Sequence, residues 1–377
     1  MNLNFQDALA ELDANAATRI FNEVSPDSSY LFHSVMPDIL RPDFDVQDTA
    51  MQVIPTMAGT VAMDSPGTPV GHMTVSQFME NTAKFGVDEA IGEAALRSLL
   101  KIWQAQGFAA GQTDSKAFLQ SEVFNYFQRV VMQAHTDRAE WLRGQALANG
   151  VIDWTYNDIR LNVDYGIPSS NKLSKATGTS AYHASSSKFW RDWRKAGSLL
   201  NNQVSISIAH TDTITAITDN TANNIEVSAW DTDDNFSYVS GTMLKTVDGT
   251  VTQDRDVRNQ FLLTGYDKEG SIRNPANHRE VQAVSFMPKG KIIRIGVERQ
   301  RGYIAGQGAG VNEDAQVGVG YYHVGRTVEG GGAMGRWGRI YTPEDRPMQL
   351  RFNTAENALP VILNPAKIVI METEMPA

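Results

Sequence analysis

Between about Asp114 and Asn149, apolar side chains recur at helical spacing for roughly 35 residues, and no other feature limits the possible folds as tightly. The stripe is built from Phe118, Leu119, Val123, Phe127, Val130, Val131, Ala134, Leu142 and Ala146. Thr113 or Asp114 supplies a cap at its start, and Gly150 offers the left-handed residue that stops it. At 1.5 Å per residue the helix would be about 50 Å long, well beyond the three turns of an average helix. A second, shorter helix is predicted over Asp88–Gln106 from Ala90, Ile91, Ala94, Ala95, Leu99, Ile102 and Trp103. Asp88 and Glu89 suit its N-terminal end, and Gly107 ends it.

Upstream of the helices the pattern is different. Residues 48–82 contain the strand-like runs Met51-Gln52-Val53-Ile54 and Thr60-Val61-Ala62-Met63, then the turn signal Ser65-Pro66-Gly67-Thr68-Pro69, then a returning run from Val70 to Val75. The prediction is a long hairpin with little apolar surface of its own. A two-stranded ribbon alone is marginal in water, so it needs a partner surface. Prolines confine such strands to edges or ends, and exposed edges invite pairing. Val61, Met63, Pro66, Gly67, Val70 and Met73 are the candidate contacts with another chain. Residues 1–47 are expected to form an N-terminal arm, packed on a neighbour or frayed. Within it, Tyr30-Leu31-Phe32-His33-Ser34-Val35-Met36-Pro37 is the anchor-like stretch, and Pro37 and Pro42 rule out a long helix.

After Gly150 the chain turns to strands. Ile152-Asp153-Trp154 is followed by Ile159 to Gly166, which alternates apolar and polar residues. Ser169 to Ser187 is polar and loop-like. Lys188, Arg191, Arg194 and Lys195 interleave with Phe189, Trp190 and Trp193. This cluster fits an amphipathic helix better than a nucleic-acid patch, since the aromatics share one face. From Gln203 onward strands alternate with turns rich in Asn, Asp and Gly. Val281–Met287 and Lys291–Val297 are joined by Pro288-Lys289-Gly290, and two apolar runs between Leu359 and Glu374 are split by Asn364-Pro365. Helices first and strands later give an α+β class.

The chemistry-bearing patterns are missing. Ala305-Gly306-Gln307-Gly308-Ala309-Gly310 lacks the third glycine of a dinucleotide fingerprint, whose place is Val311, and no Gly-Lys-Ser/Thr loop occurs. That run and Gly330-Gly331-Gly332 are expected as surface loop. His135 lies on the long helix, but neither Val131 nor Ala139 gives it a second metal ligand. His210-Thr211-Asp212 is read as turn chemistry, and Asp231-Thr232-Asp233-Asp234 lacks the twelve-residue spacing of a calcium loop. No Gly-x-Ser-x-Gly elbow is present. There is no cysteine, and neither a signal peptide nor a membrane-length apolar run is found. The formal net charge of −10 argues against a nucleic-acid-gripping surface. No catalytic residue, cofactor or metal is expected.

The order of parts resembles the tailed-bacteriophage capsid fold of the Hong Kong 97 type. The run from His135 to Gly150, with Arg138 and Trp141 before Gln145-Ala146-Leu147-Ala148-Asn149-Gly150, is similar to the end of the spine helix in the lambda-type major capsid protein E family. Val163-Asp164-Tyr165-Gly166 and Leu359-Pro360-Val361-Ile362-Leu363-Asn364-Pro365 resemble two further family segments. The resemblance covers most of residues 30–377, and 205–280 match poorly: Asn201-Asn202-Gln203-Val204-Ser205-Ile206 stands where the family has a Pro-rich approach.

The resemblance implies a non-enzymatic major capsid protein. Residues 1–47 would be the N-terminal arm and 48–82 the extended loop. Residues 83–185, joined by 356–377, would form the peripheral domain with its spine helix, and 186–355 the β-rich axial domain. Such a subunit self-assembles into hexamers and pentamers of an icosahedral head, in the host cytoplasm and then in the virion. The head encloses double-stranded DNA without sequence-specific binding. A scaffolding protein, a portal and a decoration protein are the implied partners, and no membrane is. The alternatives are an encapsulin-like nanocompartment shell and a carbohydrate-active hydrolase.

Overall fold

The helical stripe is realised as one unbroken rod in the computed structural model. It runs as α-helix over Ser115–Tyr126, as π-helix over Phe127–Met132 and as α-helix again over Gln133–Asn149. The structure describes residues 16–24, 26–43, 46–54, 72–80, 82–107, 115–156, 159–232, 236–247, 250–254, 256–274, 277–296, 298–299, 316–317, 319–331, 334–342 and 349–376. The wider π turn keeps Phe127, Val131 and Met132 buried while Val130, expected in the stripe, is turned outward. Gly150 stops the rod at φ 67°, and its N–H donates to the Ala146 carbonyl.

The shorter helix starts later than its periodicity implies. Ala83–Gly92 is a strand, paired antiparallel with Gln349–Ile362 along its whole length, and helix begins only at Glu93, ending at Gly107. Asp88 and Glu89 therefore lie in a strand rather than at a helix start. Long-range pairing has overridden local helical preference.

Gln349–Ile362 organises a five-stranded sheet. Gly320–Gly325 and Trp337–Tyr341 pair along one side of it, Ala83–Gly92 along the other, and Asp38–Leu40 adds in parallel beyond Gly320–Gly325. A seven-stranded sheet has the order Thr250–Gln253, Ser237–Val247, Gln260–Gly265, Val204–Ala209, Lys291–Gly296 and Ile368–Glu372, with Ile225–Thr232 also on Ser237–Val247. The break at Asn364-Pro365 becomes a 3-10 turn over Pro365–Lys367, which sends the two apolar runs into different sheets. Pro288-Lys289-Gly290 likewise joins strands of separate sheets, since Asn277–Ser285 pairs with Glu269–Asn274.

Three apolar clusters hold these parts together. The largest joins the last turns of the rod to both sheets through Phe32, Met36, Leu142, Tyr266, Phe286, Ile293, Tyr322 and Leu359. A second lies between the seven-stranded sheet and the helix Phe189–Leu199, where Phe189, Trp190 and Trp193 are buried while Arg191, Arg194 and Lys195 face water. This is the amphipathic arrangement expected of that helix. A third packs Phe21, Leu96, Val123, Phe127 and Phe352.

Two segments behave differently from expectation. Residues 16–43 are neither frayed nor free to reach outward. Helices Ala16–Glu23 and Leu31–Val35 dock on their own rod and sheet, because Phe21, Phe32 and Met36 have apolar surface to bury. Between the two glycine runs expected as loop, one segment is a strand not expected from the sequence. Gly320–Gly325 is a wholly buried strand, and a Cβ on Gly320 would overlap the Val361 carbonyl oxygen. Residues 301–315, including the Gly306–Gly310 run, lie outside the described residues.

Close approach makes two glycines stringent and leaves one free. At Gly144 a Cβ would run into the Phe286 carbonyl oxygen, whereas at Gly92 it meets nothing. Gly320→Ala and Gly144→Ala should each cost about 1–3 kcal/mol or more. Gly92→Ala should be neutral or slightly stabilising. Urea unfolding of the three variants measures the contrast.

Candidate functional site: an open hairpin on an ion-clasped body

The hairpin between residues 46 and 80 has the geometry of a surface that is incomplete alone. Val46–Ile54 and His72–Glu80 pair antiparallel without interruption from Val46↔Glu80 to Ile54↔His72. Among the described residues neither strand pairs with any other, so both outer edges keep unpaired backbone donors and acceptors. Of the predicted contact residues, Met73 lies in this ladder opposite Val53. Val61, Met63, Pro66, Gly67 and Val70 lie outside the described residues.

Both roots of the hairpin enter the five-stranded sheet. Ala83–Gly92 follows directly downstream. Upstream, Asp38–Leu40 is fixed beside Gly320–Gly325, with Tyr322 N–H donating to the Pro37 carbonyl and Arg41 N–H to the Val324 carbonyl, each at 2.9 Å. Val46, the first residue of the ladder, is fully buried in the main core. The ribbon therefore projects from a fixed base.

That base is held by charges that should not be inside a protein unless they are paired. Asp38 bridges two arginines, pairing through one oxygen with Arg143 of the rod and through the other with Arg336, 2.8 Å away. Arg336 Nε donates to Glu356 at 2.9 Å, and the other Glu356 oxygen lies 2.9 Å from His135 Nδ1. His135 Nε2 lies 2.9 Å from the Thr354 hydroxyl. Arg143 also reaches Glu140, whose carboxylate accepts from the Tyr266 hydroxyl at 2.8 Å and the Phe32 N–H at 2.7 Å. The guanidinium of Arg143 further stacks over Tyr322. One network thus ties the N-terminal segment, the rod and both sheets.

The carboxylates in it are pulled in opposite directions. Burial works to raise Asp38, but Arg336 and Arg143 outweigh it and hold the group below its ordinary range. Glu356 is likewise lowered: burial opposes its charge, and Arg336 and His135 overcome it. Glu140 moves the other way, raised because burial there exceeds what Arg143 and Tyr266 restore. The sequence periodicity pointed to the rod's apolar face and not to this clasp. In the structure Glu140 and Arg143 stand within a stretch of the rod buried from Ala139 to Gly144, with His135 buried one turn earlier.

The other candidates resolve into structural roles. His210 caps the helix Thr211–Thr218, accepting from the Asp212 N–H, which corrects the turn expected there. Among the described residues no group of three or more His, Asp or Glu side chains is placed to hold a metal; Asp233 and Asp234 lie outside them.

Comparison with known proteins places this geometry in context. A family model described as phage major capsid protein E matches residues 45–269. A prophage protein of E. coli CFT073 described as a capsid protein is similar in structure, with a TM-score of 0.54 at 11% identity, covering 96% of this chain and 99% of that one. A phage-related protein of Bordetella bronchiseptica RB50 gives a TM-score of 0.45 at 9% identity, with 95% and 96% covered. An encapsulin of Synechococcus elongatus PCC 7942 gives 0.43 at 8% identity, with 99% and 96% covered. No curated protein matches the sequence.

The lowered carboxylates set the sign of a pH dependence. Asp38 and Glu356 release their protons more readily folded than unfolded, so they stabilise above the unfolded pKa, and that stability is lost as pH falls through the folded values. Glu140, being raised, opposes this and limits the loss. The melting temperature should fall as pH drops through and below the ordinary carboxylate range, roughly pH 4. Asp38→Asn should cost about 3–5 kcal/mol near neutrality, by leaving Arg143 and Arg336 short of charge. It should also flatten the acid limb. Calorimetry across pH on both proteins measures this.

Proposed function

The chain belongs to the phage major capsid protein E family, and from that premise we propose that its subunits form the hexamers and pentamers of an icosahedral head, each reaching a neighbour through the hairpin of residues 48–82. Membership makes it a viral structural protein, a component of the virion whose subunits associate with one another. The observation that carries the proposal is the two-stranded ribbon, fixed at its base and, among the described residues, open along both edges. A neighbouring copy would cover those edges and whatever apolar side chains lie near the tip. Val61, Met63, Pro66, Gly67, Val70 and Met73 remain the proposed contacts. Head-to-tail contacts of this kind close into rings, and many modest interfaces per shell add to a stable whole.

The proposal extends to the surroundings of the shell. A scaffolding protein, a portal and a decoration protein are the partners it calls for, with assembly in the host cytoplasm. The shell would enclose double-stranded DNA without reading its sequence, and the −10 net charge supports a container rather than a clamp. A peripheral unit over 83–185 with 356–377 and an axial unit over 186–355 also belong to it. Strand pairing links the two closely, since 320–341 joins the sheet of 83–92 while 368–372 joins that of 204–209. The family match favours a phage shell over the encapsulin-like compartment, and its members are structural proteins rather than hydrolases.

Deleting Val61 to Met73 and joining the strands by a short Gly linker should preserve the helical circular dichroism signal and a cooperative melt. The same deletion should abolish closed particles in electron micrographs. Normal particles would show that the hairpin is not the reaching element, and a chain unable to fold would place the hairpin in the subunit's own core. Purified protein should also bind duplex DNA only weakly at physiological salt. Filter binding with nanomolar affinity and a steep salt slope would contradict the container reading.

A further inference from the structure

Arg294 is a buried cation with no carboxylate partner among the described residues. It lies in the strand Lys291–Gly296 opposite Ser207 and is 6% exposed. Its guanidinium lies 3.6 Å from the centre of the Trp193 ring, and Nη1 donates to the Trp193 carbonyl at 2.6 Å. Nε has no hydrogen-bond partner, and among the described residues Nη2 has none either. The contrast with Arg143 and Arg336 is plain, since each of those meets carboxylates. Burial alone acts on Arg294 and brings its pKa down to about 10. A well-packed apolar residue would avoid that cost, so the charge is best accounted for by something it meets elsewhere.

The strands around it leave room for an incoming group. Val204–Ala209 and Gln260–Gly265 run parallel but pair only at Ile208↔Thr264 and Ala209↔Gly265. Toward their N-terminal ends they part, and the gap is a cleft of about 650 Å³ lined by Arg294, Trp193, Ser207, Leu262, Arg194 and Arg258 among others. Trp193 Nε1 donates across to the Gln260 carbonyl and keeps one wall in place. Arg258 is held by Asp256, while Arg194 and Arg258 add positive charge to the lining. Leu262 of the cleft lining is exposed, and farther out on the same sheet Val227, Trp230, Tyr238 and Val251 are exposed as well. Apolar surface on this scale marks an interface rather than a free face.

We propose that, in the assembled shell, a carboxylate side chain of a second copy of this chain enters the cleft and pairs with Arg294. The inference rests on the self-assembly reading above. The occupant follows from charge: the chain has 43 acidic against 33 basic residues, so a neighbouring copy presents carboxylates in excess to a cationic cleft on a sheet with exposed apolar side chains. The carboxylate would meet Nη2 first, and a small shift of the wall that encloses Nε would let it take both N–H groups of that edge in two parallel hydrogen bonds. Arg194 and Arg258 draw the acidic group in.

Arg294→Met and Arg294→Lys test this by two readings, the melting temperature of the unassembled subunit and the critical concentration for shell formation. Arg294→Met should melt at or above the wild-type temperature and raise the critical concentration by roughly tenfold or more. Arg294→Lys, which keeps charge but not the fork, should fall between the two. Wild-type assembly by Arg294→Met would overturn the proposal, as would a melt well below wild type, which would make Arg294 a support of its own subunit. A rise in wild-type melting temperature with millimolar inorganic phosphate, absent in Arg294→Met, would assign the cleft to a free anion and overturn the second-copy occupant. If the wild-type chain itself forms no oligomer at any concentration, the self-assembly reading fails first, and Arg294→Met then has no defect to show.

Discussion

Asp38 set between Arg143 and Arg336 is the interaction on which the rest of the structure depends. Through Arg143 it fixes the N-terminal segment to the rod, and through Arg336 and Glu356 it reaches the strand at the centre of the five-stranded sheet. Glu140, on the same turn of the rod, carries the link to Tyr266 at the end of the seven-stranded sheet. Apolar packing would hold these parts together in many relative positions, because it is non-directional. Paired, buried charges accept few, since any shift that separates them leaves an ion without water or partner. The clasp therefore acts mainly on geometry: it decides where the sheet edge sits and from where the hairpin leaves.

A division of labour follows from burial and pairing. The body around the rod buries the aromatics of three apolar clusters, and the N-terminal helices contribute to that core. Among the described residues the hairpin strands pair only with each other, and the outer strands of the seven-stranded sheet stay exposed with apolar side chains on them. A subunit built this way is rigid where shape must be kept and unfinished where another copy is to be met. Membership of the phage major capsid protein E family gives that arrangement its purpose.

Much of this was legible in the sequence. A period of 3.6 residues revealed the rod and the amphipathic helix at Phe189–Leu199, and the apolar runs at 51–54 and 70–75 revealed strands of the hairpin, whose expected turn lies outside the described residues. Local patterns failed where distant pairing took over. Asp88–Gly92 falls within helix-like spacing, yet pairing along Gln349–Ile362 makes it part of the strand Ala83–Gly92. The strand Gly320–Gly325 was not signalled either: it is buried against Gln349–Ile362, and only a glycine at 320 lets Val361 come so close. The clasp was hidden for a related reason. Asp38, Arg336 and Glu356 are far apart in the chain, and nothing local marks them as partners. Arg294 was equally silent, since in sequence it is one basic residue in an apolar strand.

The central claim is that the ribbon is completed by a neighbour while the rod and its clasp are complete alone. Hydrogen exchange followed by mass spectrometry, on unassembled subunits and on shells, measures both halves at once. The backbone amides of 46–54 and 72–80 should exchange quickly in the subunit and become protected in the shell, while those of 133–149 should be equally protected in both. Ribbon amides already protected in the free subunit, or still unprotected in the shell, would contradict the account.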